Sequence, residues 1–137
     1  MRHKIKKIYY CFIKTIALYH FKVEEKVKLT KENLNIFPML TIALYASAII
    51  TFNIFSLMIL LSFIINIDLM QMLGYNFVYF WGITFLSFIF INYNFFIRNY
   101  KFLICKKKLN PNLYLVYLIG SGILSLCCLF LSKKFFS

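Results

Sequence analysis

The 137-residue chain is 62% hydrophobic and 15% charged, with a mean hydropathy of +0.77 and a formal net charge of +12. Soluble domains carry nearer a quarter charged residues, so the composition excludes an ordinary water-soluble fold. The positive balance does not point to a nucleic-acid partner either. Nine of the sixteen Lys and Arg residues precede residue 32 and five lie between Arg98 and Lys108, flanking apolar runs as topology determinants do.

Residues 1–33 form a segment of distinct character. Ile5, Ile8, Tyr9, Phe12, Ile16, Tyr19 and Val23 recur at helical spacing, and Lys4, Lys7, Lys14 and Lys22 gather on the other side. That pattern predicts an amphipathic helix with a basic polar face. Such a helix either lies in the interface of an anionic leaflet or lays the same face on the protein's own helices. A charged connection, "EEKVKLTKE", follows.

Three runs without a charged side chain come next, at 33–67, 69–97 and 109–132. A helix crossing the hydrocarbon core needs about 20 apolar residues, so each run is long enough. The expected fold class is all-α: an integral membrane protein of three transmembrane helices preceded by the amphipathic interfacial helix. The first span is placed at 34–67, with Asn35 a possible cap and Pro38 where a first helical turn tolerates it. An external loop at 68–73, "DLMQML", carries no Lys or Arg and predicts a tight hairpin to the second span at 74–98. The basic loop 99–109 leads to the third span at 110–132, where Asn110 and Pro111 make a matched start signal. Residues 133–137 form a tail.

With three spans, the nine N-terminal and five loop cations share one side, against two at Lys133 and Lys134. The positive-inside rule then places the N-terminus in the cytoplasm of a bacterial inner membrane. No cleavable signal peptide is evident, so the first span is expected to act as an uncleaved signal anchor.

Groups able to do chemistry are few. Glu24 and Glu25 are adjacent and diverge on a helix, Asp68 stands alone, and His3 and His20 have no ligand spacing to a carboxylate or Cys. No phosphate loop, HExxH or GxSxG occurs. Neither enzyme activity, nor a metal, nor a cofactor is expected, and the abundant Phe and Tyr fit an AT-rich coding bias. Cys11, Cys105, Cys127 and Cys128 show no disulfide framework or zinc spacing and read as apolar fillers or membrane-proximal thiols.

Candidate contact residues follow from these placements. Lys4, Lys7, Lys14, Lys22, Arg98, Lys101, Lys106, Lys107 and Lys108 would meet anionic headgroups. Ala43, Ser47, Asn53, Gly120 and Gly122 are candidates for helix–helix contact, within one protomer or between copies. Asp68, in the external hairpin, is the candidate for a protein partner.

"KIKKIYYCFIKT" and "NYNFFIRNYKF" resemble segments of a loose group of small, uncharacterised three-span membrane proteins of Bacteroidota-type bacteria. The resemblance implies an aromatic-basic N-terminus, a helical hairpin and a third span. It favours roles such as immunity to a contact toxin or phage defence. The expected function is therefore a non-enzymatic membrane interaction protein, possible forms being immunity to a membrane-acting toxin, a permeabilising oligomer, or an accessory subunit.

Overall fold

The computed structural model describes residues 2–21, 36–74 and 76–136. Among them the fold is entirely helical: α1 (Arg2–His20), α2 (Ile36–Ile65), α3 (Leu69–Leu73), α4 (Asn76–Ile91) and α5 (Leu113–Phe136). A π-helical turn at Asn92–Ile97 and a 3-10 turn at Lys101–Ile104 join α4 to α5. Three helices are long and apolar enough to cross a membrane: Ile36–Ile65, Asn76–Asn94 and Leu113–Phe136. Val78, Ile83, Phe90, Ile119 and Phe130 point outward and are exposed, a surface suited to lipid rather than water.

Helix α2 is the hub. At 30 residues it is about 45 Å long, and α1, α4 and α5 all pack on it. Contacts climb together along α2 and α5, from Asn53–Ser121 to Phe63–Phe135, so these two helices run parallel. Phe55 meets Trp81, whereas Ser47, two turns earlier, meets Asn92, so α4 runs antiparallel to α2. Asn66 and Gly74, both with positive φ, turn the chain at either end of the α3 hairpin. Asp68 caps α3 by accepting from the amides of Met70 at 2.9 Å and Gln71 at 3.1 Å. The expected loop at 68–73 is thus a capped single-turn helix.

The polar seam between α2 and α5 is built from short side chains. Ser121, Ser125, Cys128 and Ser132 recur one and two turns apart on α5 and are all buried. Ser125 bonds Ser56 at 2.9 Å and donates to the Phe52 carbonyl at 3.0 Å; Asn53 donates to Ser121 at 3.1 Å. Small side chains let the backbones approach closely enough for such bonds to form. Gly120 and Gly122 do not belong to this seam. A Cβ added to either would meet nothing within 4 Å, because the helix turns its serines inward and its glycines out.

Boundaries differ modestly from expectation. Leu113 begins α5 after an Asx turn in which Asn110 accepts from the Asn112 amide at 3.0 Å. The helix continues to Phe136, taking up most of the expected tail and seating Phe135 and Phe136 on Phe63. The second span does not end as a plain α-helix. Its last turn is wound as a π-helix, with the Arg98 amide reaching the Tyr93 carbonyl at 2.8 Å, and Tyr100 then takes left-handed backbone geometry.

Candidate functional site

Helix α1 is a strap across the basic end of the bundle rather than a helix resting on lipid alone. Ile13, Ile16 and Ala17 are fully buried against Met39, Ile42, Ala43, Ala46 and Ile49 of α2. The packed face therefore runs through Tyr9, Ile13, Ile16, Ala17 and His20, whereas Ile5 and Ile8 of the predicted apolar face are exposed. Ala43 and Ala46 explain the shift, since two small residues one turn apart form the shallow depression in which α1 sits. Ala43 is thus buried in one cluster with Ile13, Ile16 and Ala17 of α1.

Three attachments hold the strap. The Tyr9 hydroxyl donates to the Asn92 side-chain oxygen, and the Asn92 amide donates to Ser47 Oγ at 2.8 Å. Ser47 in turn donates to the Ala43 carbonyl at 2.6 Å. This relay links three helices through a residue that is 2% exposed, and it sits at the first position of the π turn. π turns inserted in α-helices recur at functional sites.

The second attachment is covalent. Cys11 and Cys105, 94 residues apart, form a disulfide with a Cα–Cα distance of 5.4 Å. This corrects the reading of both as unpaired thiols; Cys127 and Cys128 are free. Lys14 reinforces the link by donating to the Cys105 carbonyl at 2.5 Å. That bond draws Lys14 away from the headgroup-facing set and onto the protein.

An aromatic cluster forms the third attachment. His20 stacks on Tyr45 at 4.0 Å between ring centroids and meets the edge of Tyr114 at 4.9 Å, with Tyr19 alongside. Burial lowers the His20 pKa, favouring the neutral ring. Burial likewise raises the Tyr9 phenol well above its ordinary value, so it remains a hydrogen-bond donor.

Among the predicted headgroup contacts, Lys4, Lys7, Arg98, Lys101, Lys106, Lys107 and Lys108 are all exposed at this end; Lys22 lies outside the described residues. Lys4, Lys7 and Lys107 converge on one groove of about 840 Å³ between α1, α2 and α5. Asn53 lines the same groove; its amide nitrogen serves the Ile49 carbonyl at 2.9 Å as well as Ser121. The structure does not bring Asp68 near these cations, because it lies after the far end of α2. Among the described residues no cluster of His, Cys, Asp and Glu could hold a metal ion.

No family model, curated protein or solved structure matches the chain.

Two features of the site went unread in the sequence. The Cys11–Cys105 pair carried one available signal: both residues adjoin basic segments that three spans place on one side. In the stripe Ser121, Ser125, Cys128 and Ser132, the two later residues carried another in their helical spacing, which the neighbouring glycines obscured.

Proposed function

We propose that this is a small multi-pass inner-membrane protein, N-terminus cytoplasmic, that works by non-covalent interaction rather than by catalysis. One observation carries the reading. The side chains best equipped for chemistry are engaged in holding the fold: Asp68 caps α3, Asn92 ties α1 to α2, and Ser56 and Ser125 join α2 to α5. What remains exposed is an apolar girdle and a set of lysines and one arginine at one end.

The most concrete form of such a role is immunity, in which the protein binds and blocks a membrane-acting toxin. The resemblance of its aromatic-basic segments to small accessory membrane proteins favours that form. Recognition then falls to the hairpin around Asp68 or to the outward faces of the spans. Asp68→Lys weakens protection if the hairpin is the contact, whereas full protection at normal expression counts against it.

The outward-facing Gly120 and Gly122 support a second reading, an oligomerising effector, since a second copy could approach closely there. Expression alone separates the two. Harmless expression that rescues cells from a toxin encoded nearby supports immunity; membrane depolarisation and growth arrest support the effector. Co-purification with a larger assembly in mild detergent would instead favour an accessory subunit.

Orientation has its own test. The charge balance of fourteen against two places Cys11 and Cys105 on the cytoplasmic side, where thiols are kept reduced. Acid-quenched cells should therefore yield this pair largely as thiols. A pair fully oxidised in untreated cells would oppose cytoplasmic placement.

A further inference from the structure

We infer that the groove between α1, α2 and α5 is a binding site for a single anionic phospholipid drawn from the bilayer. The inference deepens the membrane reading above and rests on it.

The groove has two chemically distinct zones. Lys4 and Lys7, one turn apart on α1, and Lys107, from the loop before α5, present three ammonium groups along its edge. The sole carboxylate side chain among the described residues, Asp68, lies at the other end of α2 and caps α3. Those ammonium groups thus have no acidic partner among the described residues, and a phosphate supplies the missing charge. Phosphate is also the group that lysines hold as point charges without strict geometry.

Behind the lysines the walls turn apolar. Ile8 and Phe12 of α1 face Ile50 of α2 and Leu113 and Tyr117 of α5. Leu113 to Ser121 are eight helical rises apart on α5, about 12 Å of wall. The volume of about 840 Å³ falls within the range of about 300–1,000 Å³ typical of small-molecule sites. One acyl chain with its phosphate belongs to that size class, and the groove is open along one side, so a second chain can stay in the bilayer.

Asn53 gives the site a polar floor. It is solvent-accessible although it stands more than four turns into α2. Its amide nitrogen is already committed to the Ile49 carbonyl and to Ser121.

The test uses the full chain reconstituted in nanodiscs of phosphatidylglycerol or of phosphatidylcholine, followed by exchange into mild detergent and native mass spectrometry. About one phosphatidylglycerol per chain should be retained, and phosphatidylcholine should not. Each headgroup lysine near the surface is worth roughly a factor of five, so Lys4→Gln, Lys7→Gln and Lys107→Gln together should weaken retention roughly a hundredfold. Ile50→Trp, which fills the groove without touching its charge, should also abolish retention, while Lys133→Gln with Lys134→Gln should leave it intact.

Equal retention of both lipids, retention of none, or unchanged retention in Ile50→Trp overturns the proposal. So does a dimer mass that Ile50→Trp removes, because a second copy would then be the occupant. An unchanged melting curve serves as the folding control. Nanodiscs are symmetric, so the result does not depend on orientation. Accessibility of an N-terminal tag in spheroplasts tests that separately, and the two readings can fail independently.

Discussion

Replacing Asn92 with Leu and Tyr9 with Phe, singly and together, tests whether α1 belongs to the bundle. Asn92 is 2% exposed and joins the Tyr9 hydroxyl to Ser47. Hydrogen bonds between helices in a membrane are each worth about 0.6 to 2 kcal/mol. Tyr9→Phe removes one and should cost about 1 kcal/mol. Asn92→Leu removes two and takes the Asn92 acceptor away from the half-buried Tyr9 hydroxyl, so roughly 2–4 kcal/mol is expected. Once Asn92 is gone, Tyr9→Phe no longer breaks the bond between the two side chains. The double variant should therefore fall short of the sum by about 0.6–2 kcal/mol. Reversible unfolding in mixed micelles, in denaturing detergent against a mild one, measures all four corners of the cycle. Additivity within about 0.5 kcal/mol would mean that Tyr9 does not touch Asn92. The first of the three attachments of α1 would then be wrong.

Further expectations bear on other parts of the fold. Ser125→Val removes the hydroxyl that bonds Ser56 and the Phe52 carbonyl, and should destabilise the α2–α5 pair by about 1–2 kcal/mol in the same assay; no loss would mean that apolar packing alone holds the seam. Gly120→Ala and Gly122→Ala should be neutral or stabilising by up to about 1 kcal/mol each, since the added methyl meets nothing; a lowered melting point with loss of an oligomer would place a second copy against them. His20 has a lowered folded-state pKa, so the unfolded chain binds the extra proton first. Its contribution is complete above pH 6.5 and is lost as pH falls below that value, a slope that His20→Phe should abolish in melting curves recorded between about pH 5 and 7.

Much of the architecture was legible because hydrophobic length is a direct physical requirement. Three charge-free runs gave three helices of membrane-crossing length, and Asn110 with Pro111 marked the start of the last within three residues. The packed face of α1 was not legible from its own periodicity. Ile5 and Ile8 have the right spacing but border the open groove beside α2, whereas Ala17, too small to attract notice, is buried in one cluster with Ala43 and Ala46. The same limit applies to the glycines of α5. Spacing identifies a stripe of small residues, but the rotation of the helix decides that serines face the partner. The π turn at Asn92 has no compositional marker; it is set by the contact Asn92 makes across to α1 and α2. The candidate site was only half visible. The lysines could be counted along the sequence, yet which three share a groove depends on where α1 crosses the bundle.

The bond between Cys11 and Cys105 has a topological consequence. When closed, it turns residues 11–105 into a covalent ring that contains α2 and α4 and leaves α5 outside as a free arm. Its two ends meet at one end of the bundle, after the chain has gone out along α2 and come back along α4. Helix α5, the remaining wall of the lysine-edged groove, is the one apolar helix that can shift or be exchanged without opening that ring.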